Sequence, residues 1–380
     1  MASEFISPPE TPAKLLKLDY QQVIEHLPTN RVVLPDYESV FRREQTEQVF
    51  QRIINGETVI VSGVKGCGKT SLLRQLEGLA HEKGKSALYI NRQTLPYTAE
   101  KIQSFLLRSA ESLGLEAENF EALIDLIRKQ QAILLIDEYT GVLIPDLDKA
   151  EQGRHEALTR LVKLANKEKV PMAIVVHAIP KILDRALEQL SLDRESVIIP
   201  KAATKDEIDV TLSCGSIYPR GESPQSPQAL IIEPGTADVT LTIAGTQPGI
   251  INELIQDIYY REKKSQKPSP RVSPSLVFDF WQGESRNFLN KPIVHRVLSL
   301  AKYHFQENKG QLTLFRHVFS LPDQEDHLQA ADQIRTADSG KILAPVKEDW
   351  LRLGLVREEG NKILIDGLVI AAAVCTPKIF

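Results

Sequence analysis

The sequence predicts an α/β fold: a parallel sheet with helices on both faces, followed by a small helical region and a C-terminal domain of helices closed by a hairpin. Three observations carry this expectation. Up to Pro200, short and almost wholly apolar runs alternate with amphipathic stretches, the pattern of strands buried on both faces between covering helices. A glycine-rich loop joins the first of these runs to a helix. Further on, a proline-rich basic stretch precedes about 105 residues that end in two apolar runs joined by Glu359-Gly360-Asn361, a hairpin turn.

The elements follow in order. Residues 1–38 mix prolines with short amphipathic pieces and read as an N-terminal arm. From Ser39, apolar residues at Val40, Phe41, Val49, Phe50, Ile53 and Ile54 have helical spacing, and Asn55-Gly56 supplies the stop. Five strands are expected: TVIVSG (Thr58 to Gly63), SALYIN (Ser86 to Asn91), QAILLID (Gln131 to Asp137), MAIVVHA (Met172 to Ala178) and SVIIP (Ser196 to Pro200). Residues 39–200 thus form one core. Residues 201–262 return to helical periodicity around a Gly/Pro/Ser-rich surface loop, Gly215 to Pro227, and read as a helical lid. Lys263 to Ser275 holds three prolines and four basic residues, the composition of an extended linker. Residues 276–380, helices and then a small hairpin, are expected to be a winged-helix domain.

Composition narrows the function. With 380 residues, 25% charged and 42% hydrophobic, the chain is neither collagenous, disulfide-stapled nor mostly disordered. Its 46 Lys plus Arg against 50 Asp plus Glu, net −4, give no bulk case for a nucleic-acid coat or a membrane-surface binder. Cys67, Cys214 and Cys375 lie far apart without metal-ligand spacing, which points to a reducing compartment. Glu4, Pro8, Pro9 and Pro12 stand where a secretory signal needs an apolar core, and the run Leu368 to Cys375 is too short to span a bilayer. A cytoplasmic protein without membrane contact is expected.

The sharpest motif is GVKGCGKT: Gly63, Val64, Lys65, Gly66, Cys67, Gly68, Lys69 and Thr70, with Ser71 following. It satisfies G-x-x-x-x-G-K-[ST] between a strand and a helix. Glycines let the backbone wrap phosphates with its N–H groups inward, and the helix start adds its positive dipole end. Lys69 is expected to hold the β and γ phosphates and Thr70 to coordinate Mg²⁺. In AILLIDEYT, the apolar run buries a strand and leaves Asp137 and Glu138 at its C-terminal end, where open α/β sheets bind ligands. There Asp137 would hold Mg²⁺ through water and Glu138 would polarise the attacking water.

With these residues, nearly the whole chain resembles AAA+ or STAND-type P-loop ATPases, the branch with origin-recognition/Cdc6-like proteins and AAA-like ATPases. Phe41-Arg42-Arg43-Glu44 is similar to the family box near the adenine, with Arg42 in place of glycine, and so implies nucleotide contact for Arg43. IIPKAATKDEIDVTL resembles the segment joining the last strand to the lid. IAGTQPGIINELI resembles the lid motif, with Gly245, Pro248 and Gly249 kept and Thr246 where a second glycine is usual. His177 falls at the position of the polar residue that reads the γ-phosphate, normally Asn, Thr or Ser. Arg185 and Arg194 are the candidates for an arginine finger offered to a neighbouring subunit, Arg185 first.

The resemblance implies ATP as the nucleotide, and no guanine-reading NKxD motif is present. It implies a switch that homo-oligomerises on ATP binding, hydrolyses slowly when unassembled, and acts on or near double-stranded DNA with protein partners. Residues 276–380 hold 13 Lys plus Arg and 13 Asp plus Glu, so their charge does not by itself favour a phosphate-tracking surface. Two alternatives are a STAND-like signalling or defence ATPase with protein partners only, and a nucleotide-binding scaffold that does not hydrolyse.

Overall fold

The structure, a computed structural model, describes residues 43–64, 66–139, 149–177, 180–200, 216–217, 228–229, 231–264, 271–321 and 335–375. The arm 1–38, the residues Phe41, Arg42 and Lys65, and most of 201–230 lie outside these.

Helix α1 (Arg43–Ile54) leads into β1 (Thr58–Gly63), and after the glycine loop comes α2 (Lys69–Glu82). Then follow β2 (Ala87–Asn91), α3 (Ala99–Glu111), α4 (Phe120–Lys129), β3 (Ile133–Asp137), α5 (Lys149–Lys167), β4 (Met172–His177), α6 (Pro180–Leu190) and β5 (Val197–Ile198). The sheet is parallel throughout, in the order β2-β3-β4-β1-β5. The expected α/β core is therefore present.

Side-chain alternation along the strands builds its two layers. Val59, Val61, Ile133, Leu135, Ala173 and Val175 pack against Val49, Phe50 and Ile53 of α1 and Leu72, Leu73 and Leu76 of α2. Ile60, Leu134, Ile136, Ile174 and Val176 face the other way, onto α3, α4, α5 and α6 through Leu106, Phe120, Leu161 and Leu183. Both faces are covered, which is why the strands read as continuous apolar runs rather than alternating ones. Helix α4 starts where the Asn119 side chain accepts the Ala122 N–H at 2.8 Å. The fifth run pairs over only two residues, because Pro200 has no N–H to donate to a ladder.

The second half comprises two short ladders and several helices. Ser216–Ile217 (β6) pairs antiparallel with Gln228–Ala229 (β7), and Ile231–Ile232 (β8) pairs parallel with Arg271–Val272 (β9). The helices α7 (Thr236–Ala244), α8 (Pro248–Lys264), α9 (Pro274–Leu289), α10 (Pro292–Glu307) and α11 (Lys309–Val318) follow in chain order around β9. The chain then forms β10 (Thr336–Asp338), α12 (Ala344–Arg352), β11 (Val356–Glu359), β12 (Lys362–Ile365) and α13 (Leu368–Val374). The expected hairpin is there: Glu359 opposes Lys362 across Gly360-Asn361, and β10 adds a third antiparallel strand, in the order β10-β12-β11.

Packing runs straight across the stretch expected to be an extended linker. Ile243, Leu254 and Tyr259 before it, Val272 within it and Trp281, Phe315 and Trp350 after it belong to one buried apolar cluster. Val272 is fully buried, and α9 begins at once, capped by Ser273, with Pro274 in its first turn. Proline and charge predicted a separator at 263–275; the β8–β9 pairing and the burial of Val272 instead make its C-terminal end part of the core. Helix α13, the long apolar run, is buried from Leu368 to Val374. Among the described residues no helix is long and apolar enough to cross a membrane.

Candidate functional site

The site is assembled at the C-terminal edge of the sheet, where β1, β3 and β4 end. The strand order inserts β4 between β1 and β3, so His177 lies beside Gly63 in the β1–β4 register. This brings the loop, Asp137-Glu138 and His177 to one mouth, although they are far apart in sequence.

The loop leaves β1 and turns tightly. A Cβ on Gly63 would lie 2.6 Å from the Cys67 sulfur, and Gly66 and Gly68 take φ of +85° and +91°, which glycine alone adopts without strain. Gly68 precedes α2, whose first N–H groups receive no side-chain cap. Such an uncapped start is suited to an anion. Lys69 is buried and bends back, its Nζ donating to the carbonyls of Gly63 (3.0 Å) and Val64 (2.7 Å). An ammonium parked on two loop carbonyls is placed to exchange them for phosphate oxygens.

Asp137 is buried and its carboxylate is well bonded. Oδ1 accepts the Glu138 N–H at 2.9 Å, and Oδ2 accepts the Thr70 hydroxyl and the Tyr89 hydroxyl, each at 2.8 Å. The hydroxyl of Thr70 and this carboxylate are hard oxygen groups side by side. They fit Mg²⁺, which is commonly held by one or two protein oxygens together with water and substrate phosphate. Among the described residues no group of three or more His, Cys, Asp or Glu forms a protein-only metal cage.

Glu138 follows with φ +58°, a left-handed turn that swings it out of the strand. Its Oε2 lies 3.6 Å from His177 Nε2, both side chains being partly exposed. The carboxylate is thus beside the mouth rather than in the sheet.

The second half meets the loop directly. The Gly249 N–H donates to the Gly66 carbonyl at 3.2 Å, and a Cβ on Gly66 would lie 3.2 Å from Val297. A Cβ on Gly354, which has φ +65°, would lie 2.5 Å from Gln247 Nε2 and 3.4 Å from Val64. Between these contacts opens a small cleft of ≈ 60 Å³, lined by Val64, Cys67, Pro200, Gln247 and Arg352 among others. Asp366, buried after β12, joins the halves of this wall. It accepts from the Thr246 N–H and hydroxyl (2.9 Å each), from Gln247 Nε2 (3.3 Å) and from Arg357 Nη1 (3.3 Å). Burial raises its carboxyl above the ordinary 3.8, against the opposing pull of the Thr246 hydrogen bond and the Arg357 charge.

Of the residues singled out from the sequence, Gly63, Val64, Gly66, Cys67, Gly68, Lys69, Thr70, Ser71, Asp137, Glu138 and His177 come together here. Pro248 begins α8, one residue before the Gly249 contact. Arg43 begins α1, but its side chain, like all of Lys65, lies outside the described residues. Arg185 is exposed on α6, and exposed Arg194 pairs with Asp184 at 3.3 Å; neither lines the cleft. Sequence reasoning missed Tyr89, Gln247 and Asp366. Tyr89 carried a readable signal, a hydroxyl inside an apolar run on the same pleat face as Ala87. Asp366 carried none, since its donors at Thr246 are 120 residues away.

Residues 55–186 match the family described as AAA domain. The matched segment contains the loop, both carboxylates and His177. No curated protein matches the chain. Among solved structures the chain is similar to the Walker-type ATPase Paby2304 of Pyrococcus abyssi, at 14% identity and TM-score 0.47, covering 88% of this chain and 95% of that one. It is similar also to the ORC2 protein of Aeropyrum pernix, seen as ADPNP–ADP complexes (12%, TM-score 0.44, 89% and 92%). A third likeness is to the RuvB Holliday junction branch migration motor of Thermotoga maritima (13%, TM-score 0.41, 89% and 95%). At these identities and scores the likenesses carry no functional argument.

Proposed function

We propose that the chain is an ATP-dependent molecular switch of the AAA+ class that binds and hydrolyses Mg-ATP at the loop 63–70. One observation carries the reading: Lys69 and Thr70 stand at the uncapped start of α2 with Thr70 bonded to the buried Asp137. On binding, Lys69 exchanges the carbonyls of Gly63 and Val64 for the β and γ phosphates, while loop N–H groups hold their oxygens. Thr70 directly, and Asp137 through water, would hold Mg²⁺, which would neutralise phosphate charge. Glu138 accepts a hydrogen bond from the attacking water and orients it, with His177 steadying Glu138 from the neighbouring strand.

Arg185, exposed on α6, is the proposed finger for a neighbouring subunit, so hydrolysis depends on self-assembly. Residues 201–262 serve as the lid and 276–380 as a winged-helix unit, through which the state acts on or near DNA by way of partners. A second reading is favoured by the hydrogen bond from Gly249 to Gly66, which sets the second half on the loop. On that reading the chain is a closed, STAND-like signalling switch with protein partners.

The test is the solution mass with Mg²⁺ and a non-hydrolysable ATP analogue, with and without duplex DNA, beside Lys69→Ala. Growth that needs nucleotide, is lost in Lys69→Ala and is promoted by DNA is the result expected of the first reading. A monomer that binds nucleotide under every condition removes assembly and leaves the closed switch.

A further inference from the structure

We propose that Tyr89 is a positioning residue for Asp137, holding the carboxylate in the orientation that receives Mg²⁺; this rests on the Mg-ATP reading above. Tyr89 lies on β2, the edge strand next to β3, and its pleat parity places it with Ala87 on the face that α2 covers. Asp137 has the same parity on β3 as Ile133 and Leu135, so the two side chains share that face. In register, Tyr89 opposes Leu135, two residues short of Asp137. The offset is roughly 7 Å along the strand, a span that a tyrosine side chain bridges. Its hydroxyl reaches Asp137 Oδ2 at 2.8 Å.

The consequence follows from counting acceptors. An ionised carboxylate offers about four lone-pair positions. The Glu138 N–H, the Thr70 hydroxyl and the Tyr89 hydroxyl occupy three, two of them on Oδ2. One position remains, which defines where a metal-bound water is accepted. Without the tyrosine hydroxyl two positions are open and only the Thr70 hydroxyl restrains Oδ2, a bond to a group that must also serve the cation.

Tyr89 is itself clamped. The Arg74 guanidinium, from α2, lies 3.5 Å from the ring centroid, and Arg74 is tied to Glu77 at 2.7 Å. The same helix therefore supplies Lys69 and Thr70 to the nucleotide and Arg74 to the ring.

Tyr89→Phe keeps the ring and its stacking on Arg74 and removes the hydroxyl alone. Binding of a non-hydrolysable ATP analogue is measured by calorimetry, first in EDTA and then across a Mg²⁺ series, with the thermal midpoint of each protein recorded. Partners behind metal ligands typically shift metal affinity 10–100-fold on removal. The expected result is an unchanged affinity in EDTA and a rise of about tenfold in the Mg²⁺ concentration for half-maximal tightening. An unchanged Mg²⁺ requirement overturns the inference. So does an equal loss of both affinities with a lower thermal midpoint, the mark of packing alone. Wild-type protein that binds the analogue in neither condition overturns the Mg-ATP reading itself, a failure distinct from the other two.

Discussion

The two halves of the molecule hold their buried carboxylates in different ways. From Arg43 to Ile198 the interior is apolar side chains in two layers, and the polar groups of the site gather at the rim where strands end. From Ile231 to Val374 a single apolar cluster surrounds a deeply buried carboxylate, Asp366, with donors from two distant segments. In the first half local patterns place the chemistry; in the second a long-range contact closes a wall beside it. Under the function proposed above, the first half carries the reaction and the second walls the cleft beside it.

The largest effect expected from breaking this contrast is at Gly245. It has φ +68°, and a Cβ there would run into the Asp366 carbonyl. Gly245→Val should cost roughly 4 kcal/mol or more, seen as a large fall in the thermal midpoint, because neither backbone can retreat. An unchanged midpoint would mean that the wall around Asp366 in the second half is not held as described.

Glu138→Gln strikes the first half alone. Turnover should fall about 10²–10⁴-fold with ATP binding and the unfolding midpoint kept, as measured by phosphate release and calorimetry. Turnover left at the wild-type level would remove Glu138 from the chemistry, and wild-type turnover no higher than background would favour the scaffold.

Asp366→Asn sharpens the contrast from the second half, at about 1–3 kcal/mol for disturbing a buried hydrogen-bonded group. The sign of its pH dependence follows from linkage. The folded carboxyl is raised above 3.8, so over the window from about 3.8 up to the raised folded value the native state binds more protons than the unfolded chain. Stability contributed by Asp366 is therefore present at the acid end and lost as pH rises through that window. The difference in thermal midpoint between wild type and Asp366→Asn, followed against pH, should show this fall; a difference that grows with pH would contradict it.

The smallest effects separate the halves cleanly. Asn119 caps α4 in the first and Ser273 caps α9 in the second. Each change to Ala should cost about 1 kcal/mol. Hydrogen exchange should show each loss of protection confined to its own half; a loss spread evenly over both would mean that they unfold as one unit.

What was legible follows the same division. TVIVSG, AILLID and MAIVVH announced β1, β3 and β4, and the glycine loop announced the start of α2 at Lys69, because each is a contiguous signal. The insertion of β4 between β1 and β3 was not legible, since no local pattern encodes sheet order, yet that order sets His177 beside Glu138. At the C-terminal end of the stretch read as a linker, three prolines and four basic residues gave no sign that the β8–β9 pairing buries Val272. Thr246 and Gln247 could not be joined to Asp366 from composition or periodicity, because a buried polar contact across about 120 residues leaves no periodic trace.

The central claim is that the loop 63–70 with Asp137 binds Mg-ATP. It is tested most directly by calorimetric titration of a non-hydrolysable ATP analogue with Mg²⁺ into wild type and Lys69→Ala. The account predicts one site per chain in the wild type and at least a hundredfold weaker binding in the variant, about 2.7 kcal/mol. Equal binding by the two proteins would contradict it.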